Sequence, residues 1–154
     1  GMAIRFDEQD VRAMGRSAYG VYGIRLKEND AVIGSVVADE TKTLLTVTEN
    51  GYGKRSDINE YRLIGRGGVG VINMNITDKT GPVVSINEVE DETELILISK
   101  QGIIIRIPAK QVSVIGRNTQ GVRVMRLEET DVVASVAIIA ETNGNTPPHD
   151  SKGN

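Results

Sequence analysis

The sequence contains no cysteine and no tryptophan, and one histidine, His149. Without cysteine there is no disulfide and no thiolate metal site. A lone histidine near the C-terminal end cannot build a His-based triad or a histidine metal centre. Aromatic residues make up 3% of the 154 residues, namely Phe6, Tyr19, Tyr22, Tyr52 and Tyr61. That is a thin supply for a surface that stacks the bases of a single strand. No apolar run approaches the roughly 20 residues that cross a bilayer as a helix. No secretory signal opens the chain, and Gly1 reads as a residue placed before an internal start. These features together lead us to expect a cytoplasmic protein. Sustained 3.6-residue periodicity is missing as well, which argues against long amphipathic helices. Nor is there an excess of positive charge: 18 basic residues face 21 acidic ones, for a formal net charge of −3. That balance disfavours nucleic acid as a partner unless the basic residues are gathered on one face.

They are gathered in sequence. Lys100, Arg106, Lys110, Arg117, Arg123 and Arg126 occupy a stretch with no acidic residue. Glu88, Glu90, Asp91, Glu92 and Glu94 lie just before it. The acidic group lacks the spacing of a calcium loop and reads as a solvated turn.

The strongest signal is a repeat. "GRSAYGVYGIRL" starts at Gly15, "GRGGVGVINMNI" at Gly65 and "GRNTQGVRVMRL" at Gly116, in steps of 50 and 51 residues. Each Gly-Arg precedes a Gly-Val pair, at Gly20-Val21, Gly70-Val71 and Gly121-Val122. The register extends upstream, where Arg5, Arg55 and Arg106 each stand ten residues before the repeat's first glycine. The chain thus begins part-way through a unit, and the units run approximately over residues 2–40, 41–91 and 92–140.

One copy, "GRGGVG", matches the G-x-G-x-x-G dinucleotide fingerprint. That pattern requires a helix immediately after it, so that a pyrophosphate can sit on free N–H groups. The next residues are "VINMNI", a short run rich in β-branched side chains, and the middle glycine is absent from the other two copies. The glycines are better read as sites of positive φ or close backbone approach within a β structure.

Each unit reads as short strands: "TLLTVT", "VINMNI", "PVVSINEV", "ELILIS", "GIIIRI", "VRVMRL" and "VVASVAII", with "VYGIRL" and "AVIGSVV" in the first unit. Gly51 and Gly102 suit tight hairpins that need φ > 0. About four strands per unit of this period predicts an all-β, propeller-like array, partial, of about three blades with the first incomplete. One blade cannot bury its own faces, so neighbours must share a core. The polar end, residues 141–154, reads as a disordered tail.

Two arginine rungs recur, Arg5/Arg55/Arg106 and Arg16/Arg66/Arg117, and a third is partial, with Arg12, Arg62 and then Ser113. In a radial array such rungs form a periodic basic stripe, and guanidinium forks match phosphate oxygens. Lys54, Lys110 and Arg123 supplement them. The alternative for each arginine is an ion pair with a carboxylate of an adjoining blade. No acid–base or nucleophile constellation is present, so we expect a non-catalytic chain that contacts the backbone of duplex DNA without reading sequence.

From Ala3 to Ala140 the chain resembles the C-terminal domain of DNA gyrase A, through "VRAMGRSAYGVYGIRL", "TENGYGKRSDINEY" and "VSVIGRNTQGVRVMRL". The resemblance implies a β-pinwheel whose neighbouring blades exchange strands and which wraps duplex DNA around a basic rim. It implies as partners the remainder of gyrase A and the gyrase B subunit. It also implies that ATP and Mg²⁺ serve the holoenzyme, with no cofactor in this segment. The family's Q-R-R-G-G-K-G box is only partly matched by "GRGGVG", where Val69 stands at the lysine position, so the role of that box is not transferred. Readings that stay open are the matching domain of topoisomerase IV and a propeller that binds proteins only. Open blade edges are expected to favour self-association.

Overall fold

The computed structural model describes residues 1–139, and the expected disordered tail lies outside them. There is no α-helix among the described residues. Nine strands run β1 (Met2–Ala3), β2 (Thr43–Thr48), β3 (Tyr52–Asp57), β4 (Val71–Ile72), β5 (Val83–Val89), β6 (Glu94–Ser99), β7 (Ile104–Pro108), β8 (Val122–Arg123) and β9 (Val133–Ile139). Short 3₁₀ turns at Glu8–Asp10, Ile58–Glu60 and Ala109–Gln111 occupy equivalent places in the three units.

The second and third units therefore carry four strands each, as the repeat predicts, but the sheets do not respect unit boundaries. One sheet has the order β5-β2-β3-β8, another β7-β6-β9, and β1 pairs with β4. β8 belongs to the third unit yet closes the second unit's sheet, with Tyr52 opposite Arg123 and Gly53 opposite Val122. β1 and β4 make the same joint one step earlier, Met2 opposite Ile72 and Ala3 opposite Val71. Two parallel bridges repeat in the same way, Arg5 to Leu63 and Arg55 to Val114. The strand exchange implied by the resemblance is present.

The joint explains the Gly-Val pair. Gly70 and Gly121 have φ of 78° and 75°. A Cβ at Gly70 would lie 2.2 Å from the Ala3 carbonyl oxygen, and one at Gly121 would lie 2.6 Å from that of Gly53. Only glycine permits both the left-handed backbone and the close approach. Gly20, the first copy, has φ of 86° but nothing within 4 Å, because no strand among the described residues lies across it.

The hairpins form as expected. Gly51 and Gly102 take φ of 83° and 90°. Thr48 and Ser99 sit at equivalent β-bulges, and each hydroxyl bonds the first backbone N–H after its loop, at Tyr52 and Ile103. The first unit departs from expectation. "VYGIRL" and "AVIGSVV" form no strand. Their equivalents β4, β8, β5 and β9 are strands because hairpins lie beside them. Strand structure here depends on partners rather than on β-propensity.

Two core clusters hold the array. Leu45, Val47 and Val89 of the second unit pack with Leu95, Leu97, Val112, Met125 and Val133 of the third. Leu44, Ile58 and Tyr61 pack with Ala3 of the first unit.

Candidate nucleic-acid interface

The two main arginine rungs have different surroundings. Arg55 is buried, with its side chain 5% exposed. Its Nε donates to the Val112 carbonyl (2.9 Å) and its Nη1 to Asp91 (2.7 Å). Arg5 repeats the arrangement one unit earlier, donating to the Tyr61 carbonyl (3.2 Å) and pairing with Glu40 (2.6 Å). Both guanidinium groups are engaged within the joints, Arg55 almost wholly enclosed and Arg5 partly exposed. Each takes a carbonyl of the next unit and a carboxylate at the end of its own unit, so it locks one blade to the next. Arg106 differs: it is exposed and pairs with Glu94 of its own hairpin (3.4 Å).

The Gly-Arg turns form the second rung. Arg66 is exposed and donates through Nε to the Asp10 carbonyl (2.8 Å) and through Nη1 to that of Tyr22 (3.1 Å). Arg117 is half-buried and donates through Nη1 to the Ile72 carbonyl (2.6 Å), the place equivalent to Tyr22. The turn backbones are tied in the same way. The Arg25 amide donates to the Gly68 carbonyl (2.8 Å) and the Asn75 amide to that of Thr119 (2.9 Å). Each turn thus lies along the segment just after the previous turn, and the turns succeed one another along one edge. Neither Arg66 nor Arg117 has a carboxylate partner among the described residues. A carbonyl fixes the guanidinium without cancelling its charge, and the remaining N–H groups are available to an anion. Arg16, in the first turn, is exposed and makes no side-chain hydrogen bond among the described residues.

Lys54 lies beneath the last of these turns. It has no exposed surface. Its Nζ donates to the carbonyls of Gly116 (2.9 Å) and Arg117. As placed, it cannot touch a phosphate, and the expectation of direct DNA contact is corrected for it as for Arg55. Burial lowers its ammonium to about 8; Glu60 opposes that shift and Arg117 adds to it. The Arg117 guanidinium also sits 5.9 Å from the Tyr61 ring centre. Tyr61 is buried, its hydroxyl donates to Asn73, and burial pushes its phenol up to about 12. Arg117, Arg62 and Asn118 line an open groove beside Glu60, Val71 and Ile72. Arg62 was legible only as part of an incomplete rung, since Ser113 breaks the pattern.

The remaining cations lie elsewhere. Arg123 stacks on the Tyr52 ring (4.9 Å) and donates to the Tyr52 hydroxyl (2.7 Å), in a second groove shared with Lys79, Glu128 and Glu129. Lys110 is exposed on the third unit's 3₁₀ turn. Among the described residues, no three His, Cys, Asp or Glu side chains gather as a metal site would require.

The fold and its edge define a propeller-type β-repeat module whose successive turns carry carbonyl-anchored arginines. The chain belongs to the DNA gyrase C-terminal domain, beta-propeller, family, which it matches over residues 1–39, 42–90 and 93–140. It is 50% identical over 138 residues to the DNA gyrase A subunit of Haloquadratum walsbyi, covering 88% of this chain and 16% of that protein. It is 44% identical over 144 residues to the DNA gyrase A subunit of Staphylococcus epidermidis, covering 92% of this chain and 16% of that protein. The chain therefore spans about a sixth of the length of these relatives. Among solved structures, a DNA gyrase A C-terminal domain superposes with a TM-score of 0.83 at 34% identity, covering 91% of this chain and 48% of the other. A DNA topoisomerase IV C-terminal domain gives the same TM-score at 24% identity, covering 90% and 44%, and shares the fold.

Proposed function

We propose that this chain binds duplex DNA through the DNA backbone and helps to wrap it, as a non-catalytic module of gyrase A that supports ATP-dependent negative supercoiling by the holoenzyme. The observation that carries the reading is the repeated turn. Arg66 and Arg117 are each anchored on a backbone carbonyl of the preceding unit, uncompensated by any carboxylate among the described residues, along one edge. Phosphates recur at regular intervals along a duplex, and a repeat of fixed arginines suits such a line. The contacts proposed are Arg16, Arg66 and Arg117, with Arg62 beside them and with Arg106, Lys110 and Arg123 as outlying cations. On this reading the partners are double-stranded DNA, the rest of gyrase A and gyrase B. ATP and Mg²⁺ act elsewhere in the holoenzyme, and the protein is cytoplasmic. Membership of the gyrase family supports this reading over the topoisomerase IV alternative.

The test is a titration of linear duplex against salt. If about six phosphates are neutralised, log K should fall with log salt at a slope of about −5. Arg66→Glu and Arg117→Glu should each weaken binding and flatten that slope by about one or more. Affinity indifferent to salt and to both reversals would refute the reading and favour a protein-binding propeller.

A further inference from the structure

The two inter-unit joints are equivalent in backbone but not in what supports the turn. At the first joint, Ile4 and Val11 hold the places that Lys54 and Tyr61 hold at the second. Ile4 can only pack, and its δ-methyl would lie 3.8 Å from a Cβ built at Gly68. Lys54 instead brings a buried ammonium to two turn carbonyls. Burying a charge without a carboxylate is costly, and an isoleucine at this place would avoid that cost. Something at the second joint requires a donor. The carbonyls of residues 116 and 117 point into the joint, and Lys54 satisfies both.

We propose that Lys54 is a positioning residue for the DNA-binding edge: by holding the carbonyls of Gly116 and Arg117 it sets the third unit's turn so that the Arg117 guanidinium lies between the Ile72 carbonyl and the Tyr61 ring, with its free N–H groups directed to a phosphate. This rests on the duplex-binding reading above. The two arginines are thus supported differently: Arg66 by two backbone carbonyls, Arg117 by one carbonyl, the Tyr61 ring and the lysine beneath its turn. The charged groups acting on the ammonium are Glu60 and Arg117; Glu60 favours the charged form and Arg117 opposes it. A phosphate held by Arg117 would oppose neither proton nor turn, so bound DNA should favour the protonated lysine.

The test uses the 154-residue chain and a linear duplex at low salt. Lys54→Met keeps the length of the side chain and removes the donor. It and Arg117→Gln should each cost roughly three- to tenfold in affinity. The double variant should lose little more than either single one, whereas Lys54→Met and Arg66→Gln should multiply. Full affinity in Lys54→Met, or multiplication with Arg117→Gln, would overturn the proposal.

Should Lys54→Met not fold, Lys54→Gln decides: its shorter amide cannot reach both carbonyls as the ammonium does, so affinity should fall, and should fall little further on adding Arg117→Gln. Full affinity in Lys54→Gln, or multiplication with Arg117→Gln, would overturn the proposal. The folded pKa of Lys54 lies below the unfolded value, so the fold gains stability as pH rises from about 8 to the ordinary lysine range. The neutral amine keeps two N–H donors for the two carbonyls, so the turn should hold across that range.

A readout without DNA separates this proposal from the functional reading. Hydrogen exchange at the Asn75 amide, bonded to Thr119, should quicken in Lys54→Met, while the Arg25 amide of the first joint should not change. Unchanged exchange at Asn75 would defeat the positioning role even if duplex binding is secure. If the chain fails to bind duplex while Asn75 exchange responds, the functional reading falls and the positioning role stands.

Discussion

A guanidinium can serve a repeat in two ways, and this chain uses both. Arg5 and Arg55 are consumed by the joints, each shared between a carbonyl and a carboxylate. Arg66 and Arg117 are held by carbonyls, Arg117 also beside the Tyr61 ring, and have no carboxylate partner among the described residues. Arg55→Met should therefore act on stability. It leaves the Val112 carbonyl without its donor, and the loss should be about 1.5–3 kcal/mol in urea unfolding. Because Asp91 is largely exposed, no buried carboxylate is stranded, which keeps the cost in that range. The salt slope of duplex binding should not change, unlike that of Arg66→Glu. The repeat made both rungs legible, since equivalence is a matter of spacing. It could not show which rung faces inward, because direction is set by the strand pleat at the joint. A signal was available: Glu40 and Asp91 come after Arg5 and Arg55 at nearly equal intervals, differing by one residue, and a carboxylate that recurs with an arginine marks a pair. Lys54 was illegible as a support, because lysine is almost never fully buried.

At the scale of elements, the strands of the second and third units were largely readable from β-branched runs between Gly, Asn and Asp turns. The exchange was not readable from those runs, because a two-residue strand such as β4 or β8 has too little pattern to announce its partner. The first unit shows the consequence. Val21 and Tyr22 are equivalent to β4 and β8, and Tyr22 is 83% exposed. Ile103 and Ile104 are equivalent to the joint face of β3, and are 54% and 60% exposed. Among the described residues, one end offers a strand and the other an edge that would receive it. In the isolated chain we expect head-to-tail association, with Ile103 opposite Tyr22 and Ile104 opposite Val21 of a second copy, in the register of the two observed joints. Such a contact is heterologous and need not stop at two copies. Sedimentation should show mass rising with concentration, and Ile104→Lys should return the chain to a monomer. A monomer at high concentration without that substitution would contradict this.

Across the whole molecule, the larger core binds the second and third units into one body. Met125 of the third unit is buried among side chains of both the second and third units. Met125→Ala should cost about 2–5 kcal/mol. Calorimetry should show a single transition moving down, not a third unit melting alone ahead of the rest, as a nearest-neighbour array of this length requires. Net charge, by contrast, is a poor guide at this scale. A value of −3 coexists with an edge of fixed arginines because net charge is blind to position: each joint pair removes one charge of each sign, and no carboxylate among the described residues pairs with Arg66 or Arg117.

The exchange also has a bearing on synthesis. The hairpin of β2 and β3 is complete once Asp57 has been added, but the edge of β3 stays bare until Val122 and Arg123 arrive. At ordinary translation speeds that interval is on the order of several seconds. During it the half-made blade presents open backbone groups to whatever is near, so a ribosome-bound chain should be most prone to mispairing while its next unit is still being made.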